Sequence, residues 1–191
     1  MAKGETTYLV VDAELNWAKV FEFNRDMGSP EYPKREEDGV YCVDLVVDEG
    51  TKDLMIAAGI PDKALGYQMF KPTEDGKFVY RAKRPHRNKY FQDKETGKNA
   101  LMGPPDVFLF NESLAAMEAA GSTDFEAYRI DLDPEEHGLI SNGSEGKVKL
   151  SIYKNGSRSS VRLERIALTK HVPYFDQAKE ARVSVEGGVA I

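Results

Sequence analysis

Fourteen residues, "FVYRAKRPHRNKYF" at 78–91, gather five of the chain's 26 basic residues and four aromatics, with no acid among them. Arg81, Lys83, Arg84, Arg87 and Lys89 offer positive charge to phosphates, and Tyr80 and Tyr90 offer rings to bases. Single-stranded nucleic acid exposes a charged backbone and unstacked base faces. A protein that holds it without sequence preference therefore needs cations interleaved with aromatic platforms. A second supply lies in "KVKLSIYK" at 147–154, where Lys147, Lys149 and Tyr153 fall on the polar side of an alternating strand. These ten residues form the candidate nucleic-acid site. A solvated loop is the competing reading of the basic run, and Phe78 and Phe91 at its edges fit a satellite core.

Catalysis has less to stand on. The sequence holds no nucleophile elbow, phosphate-binding loop or zinc-binding helix motif. His86, His137 and His171 lie far apart. "DLDPEE" at 131–136 is the one acidic cluster that could attract a hard cation, but Pro134 interrupts it and no calcium-loop glycine and glutamate follow in register. A nuclease using Asp131 and Asp133 is thus the weakest alternative, and the expectation is a non-enzyme with no cofactor and no metal. Cys42 is the single cysteine, so neither an internal disulfide nor a multi-thiolate site can form.

A net charge of −6 and a pI near 5.2 argue against a protein that coats duplex through bulk positive charge. They permit a local basic groove, because salt screens exposed charges beyond about 8 to 10 Å. The 191 residues suffice for one core, and the reading is a single domain over 1–191, with a core at about 6–175 and a tail at 176–191. No apolar run approaches the roughly 20 residues of a membrane span, and the first residues lack a signal-peptide pattern. The expected setting is a reducing cytoplasm.

Strands must position most of these side chains. "LNWAKVFEF" at 15–23 places Trp17, Lys19, Phe21 and Phe23 on one face and Ala18 and Val20 on the other; Trp17 and the phenylalanines are expected inside. "VYCVDLVV" at 40–47 puts Tyr41, Val43, Leu45 and Val47 on an apolar face. "TKDLMIAAG" at 51–59 reads as a short helix capped by Thr51 and stopped by Gly59, and "NESLAAMEAAG" at 111–121 has the same grammar. The charged region between them is a loop-rich insertion. Asn155-Gly156 predicts a tight hairpin. In the return strand Val161 and Leu163 are in phase while Ile166 and Leu168 are in the opposite phase, which predicts a bulge near Glu164 and Arg165. Pro85 should make the middle of the basic segment a loop or a sheet edge. The fold class is mainly β, a small antiparallel barrel with one or two short helices; a β-sandwich has the same periodicity.

With "WAKVFEFNRDMG" at 17–28, "GVYCVDLVVDE" at 39–49 and "SSVRLERIALTKHVPY" at 159–174, the chain resembles the phage T7-like single-stranded DNA-binding proteins. The resemblance covers roughly residues 8–175. It implies an oligonucleotide/oligosaccharide-binding (OB) barrel that binds exposed single strands in phage DNA replication, recombination and repair, without catalysis, in the cytoplasm of an infected bacterium. The implied partners are single-stranded DNA and replication proteins of phage or host, with self-association open. One departure matters. T7-like members end in an acidic tail with a terminal aromatic, whereas this sequence ends "AKEARVSVEGGVAI", so tail-mediated recruitment and dimerisation are not expected. The rival of a different class is a structural or protein-interaction β-barrel of a virus with no nucleic-acid role.

Overall fold

The computed structural model describes residues 4–35, 37–110, 129–156 and 158–175. The helix expected at 111–121 and the tail lie outside them. The strands, in chain order, are β1 (Glu5–Lys19), β2 (Gly28–Ser29), β3 (Tyr32–Pro33), β4 (Val40–Val47), β5 (Lys63–Ala64), β6 (Tyr67–Gln68), β7 (Phe70–Pro72), β8 (Phe78–Pro85), β9 (Arg87–Gln92), β10 (Asn99–Leu101), β11 (Asp106–Leu109), β12 (Ile130–Asp131), β13 (Leu139–Ile140), β14 (Ser144–Asn155), β15 (Arg158–Lys170) and β16 (Pro173–Tyr174). Among the described residues two short α-helices accompany them, α1 (Glu49–Ala57) and α2 (Pro134–His137), with one 3-10 turn at Glu22–Asn24. The chain is mainly β.

Eight strands form one sheet in the order β12-β11-β15-β14-β1-β4-β8-β7. β1 organises it: residues from Glu5 to Leu15 pair with β14, and residues from Glu14 to Lys19 pair with β4. Alternation explains which side is dry. Leu15, Val43, Leu45, Val148, Leu150 and Ile152 point inward and are fully buried, joined by Leu163, Ile166 and Leu168 of β15 and Met55 of α1. Each such side chain contributes about 1.5 to 3 kcal/mol by leaving water.

The phase switch in the last long strand is a bulge. Leu150 faces Leu163 and Lys149 faces Arg165, so Glu164 is the extra residue and the strand bends there. A second register shift, at Gly146, shows why that position is glycine: an added Cβ would lie 2.8 Å from the Ala167 carbonyl oxygen. The β14–β15 hairpin forms as expected. α1 starts earlier than expected, with Asp48 rather than Thr51 as cap; the Asp48 carboxylate accepts from the Thr51 backbone N–H at 2.7 Å.

The successive antiparallel pairings make β8 and β15 run in the same direction, and they approach within 8 Å between Cα atoms. No strand ladder joins them. Side chains span the gap instead: Arg84 donates to the Leu163 carbonyl at 3.4 Å and to Glu164 at 2.8 Å. Beyond β8 the chain turns at His86 into a two-stranded arm, β9–β10. The region expected to be loop-rich thus contains a hairpin.

Candidate nucleic-acid interface

The basic segment divides in two. β8 is a regular strand along its whole length against β4, and β7 covers only Phe78 to Tyr80, which leaves 81–85 at a sheet edge as Pro85 suggested. Within β8 the inward positions belong to the core. Tyr80 is 3% exposed and packs against Phe70, and burial pushes its hydroxyl up to about 12. Its ring has no face open to a base, which corrects the expectation of a stacking platform. The reason is parity: Tyr80 sits opposite Leu45, on the apolar side of β4.

Two of the five cations are committed to the fold. Arg84 donates to the carbonyls of Gly103, Met102 and Leu163 and pairs with Glu164, with only 14% of its side chain exposed. Arg87 donates to the carbonyls of Glu37 and Asn99, tying the arm to the 20–39 loop. Their guanidinium forks stitch elements together, so neither stands free for a phosphate. The acceptor of the seam is prepared. Burial raises the Glu164 carboxyl, but the hydroxyl of Ser151 and the guanidiniums of Arg162 and Arg84 outweigh it and hold the group below its ordinary range.

The remaining residues point outward. Register places Lys19 of β1, Cys42 of β4 and Lys83 of β8 in one row across three strands, with Asn16, Asp44 and Arg81 in the next row. Arg81 is bidentate to Asp44 at 2.6 and 2.9 Å while its side chain stays half exposed. Lys83 is exposed, and among the described residues no acid pairs with it. The residue between the two lysines is a buried thiol that burial pushes above its ordinary range, so it adds no negative charge to the row. Lys19 has one acidic neighbour, Asp26, at 3.7 Å. A backbone N–H from Gly28 keeps the Asp26 carboxyl low against burial, helped by Lys34, Lys19 and Arg81. Further along, Tyr90 on the arm is 80% exposed, with the Lys89 ammonium 5.0 Å from its ring centroid.

Trp17 reverses an expectation. The alternation of 17 and 19 against 18 and 20 holds, yet Ala18 and Val20 are the buried pair and Trp17 is 67% exposed. Asn16 faces Asp44 and Lys19 faces Cys42, so Trp17 and Ala18 together oppose the single Val43. At this bulge Trp17 has φ +53, a left-handed conformation that costs a residue with a β-carbon roughly 1 to 2 kcal/mol. Two hydrogen bonds to the 141–143 turn hold it. The Trp17 N–H donates to Asn142 Oδ1 at 2.8 Å, and the Gly143 N–H donates to Asn16 Oδ1 at 3.1 Å. Phe21 packs partly against the core, and Phe23 is exposed and stacked on it.

Lys147, Lys149 and Tyr153 stand on a different part of the surface, beside the other end of β1. Lys147 faces Asp12 across the ladder and pairs with it at 2.9 Å. Lys149 lies 4.7 Å from the ring centroid of Tyr8, and Tyr153 is half exposed. Between this face and the β8 face lies a cleft of about 520 Å³, lined by Asp12, Glu14, Asp48 and Glu145 against Lys77. Its lining holds four carboxylates against one lysine, with Asp12 and Glu145 answered by Lys147 and Lys170 from outside it, so it offers no row of cations joining the two predicted walls. Tyr8, Lys19 and Trp17 were missed as candidates. Only the exposure of alternate residues along β1 finds them.

The acids of the nuclease reading are structural. Asp131 accepts from Arg129 at 2.6 Å, and Asp133 caps α2 by accepting from the Glu135 N–H. Among the described residues no cluster of three or more metal-binding side chains occurs, and no helix is long and apolar enough to cross a membrane.

No family model matches the sequence, and no curated protein matches it. Among solved structures, the chain is similar to a single-stranded DNA-binding protein from bacteriophage Enc34, C-terminal truncation. Identity is 14% over 87% of this chain and 88% of that one, with a TM-score of 0.45. A likeness of that size carries no weight for function, which rests on the side chains described above.

Proposed function

We propose that the protein binds single-stranded DNA without strong sequence preference, on the outer face of β1, β4 and β8 and along the β9–β10 arm. The observation that carries this reading is the row Lys19-Cys42-Lys83: two exposed lysines flank a buried thiol, next to Arg81, and the arm that follows β8 carries the exposed Lys89 and Tyr90. Cations there meet phosphates, and Tyr90 offers a stacking face. The strand succession β1-β4-β8, returning through β15 and β14 to β1, supports an OB-like barrel whose seam is closed by Arg84 rather than by a ladder. In such barrels this outer face is the usual oligonucleotide platform.

Lys19, Arg81, Lys83 and Lys89 give four phosphate contacts. Log affinity should then fall with log salt at a slope of about −2.8, since each neutralised phosphate on a single strand contributes about −0.7. Titrating a labelled thymidine oligonucleotide by fluorescence anisotropy at several salt concentrations tests this; absence of binding at low salt rejects it. The proposed setting is phage DNA replication, recombination and repair in the host cytoplasm, alongside replication proteins that bind the same strands, with a homo-oligomer as an arrangement to be tested. Lys147, Lys149 and Tyr153, beyond the acidic cleft, are not counted among these contacts.

A further inference from the structure

We infer that Trp17 is a base-stacking contact of this surface, a role that rests on the single-strand reading. Three independent features lead there. The ring is two-thirds exposed in a strand whose inward positions are filled by its neighbours Ala18 and Val20, so the core makes no use of it. Its backbone sits in the left-handed region at a bulge. A bend alone would be served at lower cost by glycine, which adopts that conformation without a β-carbon penalty. The bend is also clamped: Asn142 accepts from the Trp17 N–H while Asn16 accepts from Gly143, so two asparagine side chains fix the presentation of an exposed indole. A strained position held by designated hydrogen bonds, carrying a large ring left two-thirds exposed, is spent on something outside the chain.

The surroundings identify the ligand class. Lys19 is two residues away on β1, and Lys83 and Arg81 lie across the adjacent strands. An indole face beside a row of cations suits an unstacked nucleobase whose phosphate reaches the row. It suits any of the bases, because each has a π-face. An apolar protein partner would instead have to bury that charge.

Trp17 is the chain's one tryptophan, so its emission reports the contact directly. The full-length protein is titrated with an unlabelled thymidine oligonucleotide while intrinsic emission is followed, in parallel with anisotropy of the labelled oligonucleotide. Quenching should saturate at the midpoint seen by anisotropy. Trp17→Ala should weaken binding roughly tenfold and Trp17→Phe much less, since a phenyl ring still stacks. Trp17→Gly should melt no lower than the native protein, because it relieves the left-handed strain. Binding by anisotropy with unquenched emission, or with unchanged affinity in Trp17→Ala, overturns the inference and leaves the single-strand reading standing. No binding of either oligonucleotide at low salt overturns both.

Discussion

The outer face of β1 and β14 and the outer face of β1, β4 and β8 both carry cations at alternating positions of one strand, Lys147 and Lys149 on β14 and Arg81 and Lys83 on β8, yet their electrostatics differ. On the first, the strand opposite supplies an acid: Asp12 faces Lys147 and pairs with it. On the second, the strand between two lysines supplies Cys42, whose thiol stays neutral. Cross-strand register therefore decides whether the ladder itself supplies an acid: Lys147 meets one, while Lys149 stands opposite Val10 and Lys83 opposite Cys42, and Lys19 meets Asp26 from off the ladder. Arg81 shows the intermediate case, a cation tethered to Asp44 but still half exposed.

The largest expected effect separates the cations that build the fold from those that face outward. Arg84→Ala removes the donor that spans β8 and β15 and strands Glu164 in a mostly buried setting. We expect a loss of about 3 kcal/mol in urea denaturation, with the affinity of the remaining folded protein for oligonucleotide little changed. A loss of affinity at full stability would return Arg84 to the phosphate contacts.

Charge reversal sharpens the comparison of the two faces. Lys83→Glu should weaken oligonucleotide binding at low salt by about tenfold and lower the salt slope by about 0.7 or more. Lys147→Glu, already beside Asp12, should change affinity by about twofold or less. Equal losses would mean that the strand crosses the acidic cleft and that both faces serve one site. Among the aromatics, Tyr90→Ala should cost about 1 kcal/mol of binding and leave the melting temperature alone. Tyr80→Ala should do the reverse, opening a cavity beside Phe70.

The smallest effect concerns the base of the arm. The His86 ring is buried, its Nδ1 lies 2.6 Å from the Tyr41 hydroxyl, and its carbonyl accepts from the N–H groups of Met102 and Gly103. Burial, with Arg25, lowers the His86 pKa below its ordinary 6.5. A depressed histidine is neutral in the folded state, so its contribution is present above pH 6.5 and is lost as pH falls from there through the folded value. Amide exchange of Met102 and Gly103 should accelerate below about pH 6.5 relative to the β14 ladder. Unchanged protection down to pH 5 would mean that the ring does not hold the arm.

Much of the fold was legible. The inward alternation of Val148, Leu150 and Ile152, the hairpin at 155–156 and the bulge at Glu164 follow from period and phase within one strand, which local sequence records. The site was legible in composition but not in arrangement. Tyr80 and Tyr90 look alike in the sequence, and only pairing with Leu45 puts the first inside. Trp17 reads as core until the bulge opposite Val43 turns Ala18 inward in its place. Arg84 and Arg87 read as free charge because their acceptors, the carbonyls of residues 99, 102 and 103 and the Glu164 carboxylate, are remote in the chain.

The central claim is that single-stranded DNA lies on the β1–β4–β8 face. The most direct test is anisotropy titration of a labelled thymidine oligonucleotide against the native protein, Lys83→Glu and Lys147→Glu in one salt series. The account predicts a native slope of about −2.8, a clear loss for Lys83→Glu and near-native binding for Lys147→Glu. Native binding by Lys83→Glu together with a loss in Lys147→Glu would contradict it.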